Sequence, residues 1–174
     1  EIELVELKGI LNKLRMIKSD DEIENIRMAA RIADKAFNRI CKLIKPGITE
    51  RDIALELEFY MKKLGATSTS FTSIVASGER SALPHGTATD KKIKEGEFLT
   101  LDFGCVYNGY CSDMTRTVVI GKANERQREI YSVGLEAQEK ALKYIKPGVK
   151  GCDVDRVARD IIKEKGFGQY FGHG

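Results

Sequence analysis

The sequence lacks a long apolar run, an excess of charge of one sign and any C-x-x-C pair of cysteines. No stretch approaches the roughly 20 apolar residues that cross a bilayer, and the first residues lack the order of a secretory signal. We therefore expect a soluble, cytoplasmic protein with no membrane partner. The near balance of 29 basic and 26 acidic residues predicts a solvated surface and argues against nucleic-acid binding.

Cysteine is scarce, and the four residues Cys41, Cys105, Cys111 and Cys152 are scattered along the chain. Their spacing excludes a zinc knuckle and a thioredoxin-type redox pair. We expect them to be small apolar residues of the core, without a disulfide.

What the sequence does contain is helical periodicity at its start and strand patterns in its middle. The capping-box pattern Ser19-Asp20-Asp21-Glu22 predicts the start of a long helix that runs to about Lys45, before Pro46-Gly47. A second helix is expected from Thr49 to a stop at Gly65. Segments rich in β-branched and aromatic residues predict strands over 71–76, 97–107 and 110–120.

The last third of the chain repeats the first at an offset of 101 residues: Ile44-Lys45-Pro46-Gly47 returns as Ile145-Lys146-Pro147-Gly148. This duplication predicts two more helices, around 124–146 and 152–165, and its period excludes stacked short repeats. The second copy ends without the hairpin of the first, and the strand-like Gln169-Tyr170-Phe171 would have no partner. We therefore expect a fragment that is truncated in its second half.

The strongest local signal is a pair of aspartates beside a predicted β-hairpin. Asn108-Gly109 is the preferred dipeptide of a two-residue type I′ turn. Such a turn places residues whose numbers sum to 217 opposite each other, so Gly104 faces Asp113, and Asp102 becomes a diagonal neighbour on the same face. Diagonal Cα atoms lie roughly 7 to 8 Å apart. That separation suits two carboxylates that share cations about 3.5 to 4 Å apart.

Two acids near a hairpin also have a plainer interpretation, as solvated residues close to a turn. We favour cation binding because both lie several residues from the turn among apolar neighbours, where two negative charges would otherwise repel. The same register directs Cys105 to the opposite face and Cys111 to the carboxylate face, although we expect Cys111 to pack in the core.

Histidine occurs only twice, as His85 in Leu83-Pro84-His85-Gly86 and as His173 in Phe171-Gly172-His173-Gly174. A lone histidine is more often structural than functional. Here each lies next to glycine, which lets backbone or ligand approach closely. Together with the aspartate pair, both histidines are candidates for one site.

Three motifs together resemble the Xaa-Pro aminopeptidase and prolidase branch of the pita-bread metallopeptidases. They are the segment Ser77-Gly78-Glu79-Arg80-Ser81-Ala82-Leu83-Pro84-His85-Gly86, the hairpin that carries Asp102 and Asp113, and the terminal Gly-His-Gly. The resemblance covers nearly the whole chain from about Ser19. It implies an α/β (α+β) pita-bread fold of two pseudo-symmetric αβ halves, the second incomplete here. It also implies a metal-dependent enzyme that cleaves the bond between an N-terminal residue and proline.

The resemblance assigns roles to the matching positions. Asp102 corresponds to a bidentate ligand and Asp113 to the bridging ligand of two divalent cations, and His173 to an imidazole ligand. His85 corresponds to a catalytic histidine that is not a ligand and that helps to bind substrate and stabilise the tetrahedral intermediate. Mn²⁺ is the expected metal, with Co²⁺, Zn²⁺ or Fe²⁺ as alternatives. Two glutamate ligands and another histidine are expected after residue 174.

On this interpretation, residues 1–18 end an N-terminal domain and its linker, and residues 19–174 form the truncated catalytic domain. The resemblance implies peptide substrates with proline at the second position and a homodimer at full length, while the fragment alone is expected to be inactive. Methionine aminopeptidase is the alternative within the same fold, and a non-catalytic peptide-binding relative is the alternative outside enzymes. The loop around Pro84 favours the proline-directed branch, and the retained acids and His173 argue against the non-catalytic relative.

Overall fold

The computed structural model describes residues 9–172, in two compact units that divide between Gly121 and Lys122. In the first unit the described helices are α1 Ile10–Met16, α2 Asp20–Ile40 and α3 Glu50–Lys63. The strands are β1 Ser68–Thr69, β2 Ile74–Ser77, β3 Phe98–Phe103, β4 Cys105–Tyr107, β5 Tyr110–Cys111 and β6 Met114–Val119, and a 3-10 helix, Gly78–Ala82, follows β2. The second unit contains α4 Glu125–Tyr144, α5 Gly151–Glu164 and a 3-10 helix, Gly168–Tyr170. The predicted order of two helices, strands and two helices is confirmed from α2 onward, and helix α1 is an addition that was not predicted.

The strands of the first unit form two antiparallel sheets, ordered β2-β3-β6 and β1-β4-β5. One long hairpin contributes to both, since β3 and β6 form its base and β4 and β5 its tip. The predicted strand over 71–76 is only partly correct. The chain pairs Ser68 and Thr69 with β4, leaves that sheet, and joins β3 only from Ile74. The switch between sheets therefore interrupts the expected strand.

The core lies on one face of β3, where exposure alternates with the pleat of the strand. Leu99, Leu101 and Phe103 are buried, whereas Thr100 and Asp102 point to the other face. Helices α2 and α3 cover the buried face with their own apolar residues. These are Ala29, Ile32, Ala33, Ala36 and Ile40 of α2, and Ile53, Leu57 and Met61 of α3. Because the core occupies one face, the acid on β3 is left on the face available for a site.

Three of the helices begin with a capping box. The side chains of Ser19, Thr49 and Asn124 each accept a hydrogen bond from a backbone N–H three residues on, and the residue at that position bonds back. This confirms the start predicted at Ser19 and satisfies backbone donors that a helix end leaves free. Helix α2 ends at Ile40 rather than near Lys45. The backbone tightens there into bonds between residues three apart, ahead of the proline that has no N–H.

The predicted duplication is visible in the backbone of each unit. Gly47 and Gly148, which follow the two prolines, have positive φ angles of 93° and 89°. Gly65 and Gly166, which end α3 and α5, have φ angles of 105° and 84°. Both pairs of positions therefore need the left-handed conformation that glycine adopts without strain. The bounds of α5 are those of α3 moved by the same offset of 101 residues.

The expectation of four buried cysteines is wrong for three of them. Cys105 is fully buried on the core side, as the hairpin register predicts, but Cys41, Cys111 and Cys152 are exposed. Composition alone cannot distinguish these cases, because a small apolar residue is also tolerated at an exposed helix end or beside a hairpin turn. All four are free thiols.

The predicted strand at Gln169-Tyr170-Phe171 is also wrong, because the chain forms a 3-10 turn there. Tyr170 N–H donates to the carbonyl of Phe167, and the guanidinium of Arg159 donates to the carbonyl of Phe171 at 2.9 Å. These local bonds satisfy polar groups for which the described part of this unit offers no strand partner. Within residues 9–172, no helix is both long enough and apolar enough to span a membrane.

Candidate functional site

The tip of the hairpin fixes the register that the sequence predicts. Asn108 and Gly109 both have positive φ, at 48° and 83°, as a type I′ turn requires. Tyr107 faces Tyr110 beside the turn, and at the base Asp102 faces Thr115. In each of these pairs the two residue numbers sum to 217, so the same register holds from the tip to the base of the hairpin. The predicted pairing is confirmed.

Both strands of the hairpin are interrupted at the same height, where Gly104 passes Ser112 and Asp113. A Cβ atom added to Gly104 would lie only 2.0 Å from the carbonyl oxygen of Ser112. Glycine is therefore required by the close approach of the two backbones. The same carbonyl accepts a hydrogen bond from the Ser70 hydroxyl at 2.7 Å, and the Ser112 N–H donates to the carbonyl of Cys105 at 2.9 Å.

Asp102 and Asp113 lie next to each other at this interruption. The pKa of Asp102 is raised above its ordinary value, mainly by burial. The hydrogen bond from the Thr115 hydroxyl at 3.0 Å lowers this pKa, whereas the neighbouring Asp113 carboxyl raises it further. Asp113 itself is exposed, whereas Asp102 is partly buried. The structure thus brings together the two acids that the sequence singles out. A cation bound between them would relieve the unfavourable proximity of the two negative charges.

His85 lies in an exposed loop near this pair. The loop follows the 3-10 helix Gly78–Ala82, and Thr87 forms an isolated bridge with Ile74, which in turn pairs with Asp102. The charge of His85 is close enough to lower the pKa of Asp102, as the weakest of the effects on that group. His85, Asp102 and Asp113 therefore share one region. His173, the fourth predicted residue, lies outside the described residues.

Within residues 9–172, the candidate donors for a metal ion are few. No group of three or more histidine, cysteine or acidic side chains converges as a metal-binding cluster in this part of the chain. The two carboxylates of Asp102 and Asp113 supply oxygen ligands, which suit hard divalent cations. The chemistry of these two carboxylates therefore fits such cations, although two residues alone would not complete a metal site.

Sequence reasoning missed Glu50, a fully buried carboxylate at the start of α3. Burial raises the pKa of Glu50, but hydrogen bonds from Thr89 and Ser77 outweigh it and hold the pKa below its ordinary value. An acid in the first turn of a helix is common because the helix dipole favours it. The sequence therefore gives no sign that this residue is bonded to partners 27 and 39 residues away.

Residues 24–174 match Metallopeptidase family M24. The chain belongs to that family. The Xaa-Pro dipeptidase of Pyrococcus furiosus is 47% identical over 176 residues, which are 99% of this chain and 51% of the relative.

Two solved structures extend the comparison to the fold of this M24 chain. One is the Xaa-Pro dipeptidase from Bacillus anthracis, with a TM-score of 0.92 and 53% identity over 95% of this chain and 46% of that one. The other is the X-Pro aminopeptidase from Thermotoga maritima, with a TM-score of 0.91 and 46% identity over 94% and 46% of the two chains. The expected pita-bread αβ fold is confirmed.

The M24 chain spans about half the length of the curated relatives it matches. Those relatives are described as peptidases, which supports a hydrolase, and a metallopeptidase family implies divalent metal ions.

Proposed function

We propose that the whole protein of which this M24 chain forms part is a metal-dependent peptidase that cleaves the bond between an N-terminal residue and proline. The observation that carries the proposal is the proximity of Asp102 and Asp113 on the hairpin, which would allow the two carboxylates to bind cations together. The names of the dipeptidase and aminopeptidase relatives support the proline specificity.

In this proposal Asp102 and Asp113, together with His173, hold two divalent cations, with Mn²⁺ expected. Such cations supply Lewis-acid activation of water and of the scissile carbonyl when they are bound. Within the chain, Thr115 fixes the orientation of the Asp102 carboxylate through its hydroxyl. The interruption at Gly104 lets the backbone that carries Asp113 approach β3 closely.

His85 has a different role in the proposal. Its side chain is exposed near the aspartate pair, so it is accessible to a substrate held there. It would donate a hydrogen bond to the substrate or to the oxyanion that forms during the reaction. This assignment makes His85 a catalytic residue that does not bind metal.

Four further properties are proposed for the whole protein. A domain boundary near residue 18, a cytoplasmic location, a homodimer and peptides with proline in second place stay predictions. The 174-residue chain alone is expected to lack activity, because the resemblance assigns two glutamate ligands to positions beyond it.

The test is a peptide assay of the whole protein with added Mn²⁺. We expect release of alanine from Ala-Pro or from Ala-Pro-Ala, which also decides between a dipeptidase and an aminopeptidase. Ala-Ala and Met-Ala-Ser serve as controls for proline specificity and for methionine aminopeptidase activity. Asp113→Ala should abolish turnover. Appreciable turnover of this variant, or hydrolysis of Met-Ala-Ser alone, would refute the proposal.

A further inference from the structure

Glu50 connects both ends of the loop that carries His85. The segment between Ser77 and Thr89, residues 78–88, comprises the 3-10 helix Gly78–Ala82 and the loop with His85, and the whole segment is called the His85 loop below. Oε1 of Glu50 accepts hydrogen bonds from the backbone N–H of Ser77 at 2.8 Å and from its hydroxyl at 2.9 Å. Oε2 accepts from the backbone N–H of Thr89 at 3.1 Å and from its hydroxyl at 2.7 Å. One carboxylate therefore holds the residue before the loop and the residue after it.

Arg80 adds a second connection within the His85 loop. Its Nε donates to Oε2 of Glu50 at 3.2 Å, and its Nη2 donates to the carbonyl of Thr87 at 2.6 Å. Thr87 is two residues after His85, so this guanidinium joins the buried acid to the backbone next to the histidine. Charge-assisted hydrogen bonds of this kind fix geometry as well as adding energy.

The opposite side of the His85 loop is fixed by packing. Gly86 is buried, and a Cβ atom added to it would lie 3.0 Å from the Cβ of Ala76. Thr87 forms its bridge with Ile74 of β2. The loop is thus held between α3 on one side and the sheet that carries Asp102 on the other.

The ion pair between buried Glu50 and partly exposed Arg80 is costly to desolvate on the Glu50 side, so it is weak evidence for stability by itself. An exposed loop could be closed by apolar contacts, which lack this cost. Glu50 instead accepts five hydrogen bonds, from Ser77 before the loop, from Arg80 within it and from Thr89 after it. Such an arrangement selects one conformation of the loop, and the chemical group that this conformation presents is His85.

We propose that Glu50 is a positioning residue that keeps His85 beside the aspartate pair. The inference rests on the proposed function, in which His85 contacts the substrate. Glu50 itself is buried away from solvent and acts only through the loop.

The test is a double-mutant cycle in the whole protein with Mn²⁺. Glu50→Gln keeps the size of the side chain but replaces an accepting oxygen with a donating NH₂ group. We expect kcat for Xaa-Pro hydrolysis to fall about 100-fold, as for a misplaced catalytic group, with the affinity for Mn²⁺ unchanged. In a His85→Ala background the same substitution should leave kcat nearly unchanged, because the positioned group is absent. Equal losses in both backgrounds would overturn the proposal.

Two further variants separate positioning from general damage. Asp52→Asn removes another acid from the first turn of α3, where it bonds Thr49 and not the loop. We expect kcat to be unchanged in this variant, and a loss as large as that of Glu50→Gln would contradict the proposal. Thr89→Val removes one hydroxyl donor to Glu50 and keeps the branched shape. It should lower kcat about tenfold, again only when His85 is present.

Hydrogen exchange followed by mass spectrometry provides a readout that needs no activity. Glu50→Gln should raise the exchange of backbone amides over residues 78–90 at least about tenfold, while exchange in β3 stays unchanged. Unchanged protection of the loop would overturn the positioning role. Faster exchange in a protein that never hydrolyses Xaa-Pro peptides would support the loop-holding role and refute the proposed function instead.

Discussion

The hydroxyl of Thr115 donates a hydrogen bond of 3.0 Å to Oδ1 of Asp102 across the β3–β6 ladder. This contact orients the carboxylate that we propose as a metal ligand. Removing a residue that hydrogen-bonds to a metal ligand typically lowers metal affinity 10- to 100-fold. Thr115→Val is therefore expected to weaken Mn²⁺ binding by about that factor in the whole protein, as measured by isothermal titration calorimetry.

Thr117 provides the matched control on the same strand. It faces Thr100, with the two hydroxyl oxygens 3.3 Å apart, and neither belongs to the aspartate pair. Thr117→Val should bind Mn²⁺ like the wild type. Equal affinity losses in the two variants would show that the strand, and not the bond to Asp102, determines binding.

Because Asp102 and Asp113 lie close together, replacing one of them should abolish metal binding without lowering the stability of the metal-free protein. Asp113 adds to the rise in the pKa of Asp102, so the pair is unfavourable when no cation is present. Asp113→Asn should leave the metal-free Tm unchanged or slightly higher. The rise in Tm on adding Mn²⁺, which follows from binding to the native state, should disappear. Thermal unfolding with and without Mn²⁺ measures both effects.

Asp90→Asn is the control for this pair. Asp90 is an exposed acid that bonds Arg51 and lies outside the candidate site. Its variant should keep the full Mn²⁺-dependent rise in Tm. A metal-free Tm several degrees lower in Asp113→Asn would contradict the inferred repulsion.

The hairpin could be predicted from sequence because its determinants are local. Asn108-Gly109 specifies a turn whose twist matches the strands, and the turn then sets every pair down to Asp102. A slip of one residue would have moved Asp102 into the core, which the apolar residues on the other face of β3 oppose.

Features that depend on distant contacts could not be predicted in the same way. Glu50 resembles an ordinary acid at a helix start, and its role depends on a loop that folds back from residues 77 to 89. Cys111 shares the alternation of the carboxylate face, but that alternation does not say whether the face is covered at its position. Burial is a property of neighbours, and the neighbours come from other parts of the chain.

The pH dependence of stability should report the buried carboxylate of Glu50. Burial raises its pKa, but the bonds from Thr89 and Ser77 bring it below the ordinary value of 4.5. The unfolded chain therefore takes up this proton at higher pH than the folded one. The stabilising contribution is complete above the unfolded pKa and is lost as the pH falls through the lower, folded pKa.

Comparison with Glu50→Gln isolates this contribution. At pH 7 we expect the variant to be less stable by about 3 kcal/mol, since it breaks a buried hydrogen-bonded network. The difference should shrink as the pH falls below about 4.5. Urea unfolding followed by circular dichroism between pH 3.5 and 7 measures it, and a difference that stays constant over this range would contradict the lowered pKa.

Helix α3 offers two leucines in opposite environments. Leu57 is 0% exposed in the core, whereas Leu55 is 58% exposed. Leu57→Ala should cost about 2–5 kcal/mol of unfolding free energy, from lost burial and the cavity left behind. Leu55→Ala changes the same residue type in the same helix and should stay within about 0.5 kcal/mol of the wild type. Similar losses in urea unfolding would contradict the assigned core face of α3.

Gly104→Ala tests whether the close approach of the hairpin strands brings the two acids together. The new Cβ would lie 2.0 Å from the Ser112 carbonyl oxygen, which is backbone and has no rotamer to change. The strands must move apart, at a cost of about 3 kcal/mol or more. Because Asp113 directly follows Ser112, the displacement should also separate the two carboxylates and weaken Mn²⁺ binding in calorimetry.

Gly134→Ala gives the opposite expectation with the same change of residue. Gly134 lies within α4, and an added Cβ would have no neighbour within 4 Å. Alanine there removes the entropic cost of glycine in a helix and should stabilise the protein by about 0.5–1 kcal/mol. If Gly104→Ala lowered the Tm no more than Gly134→Ala does, the space between the two strands would accommodate a Cβ atom. The proximity of Asp102 and Asp113 would then need a cause other than this glycine.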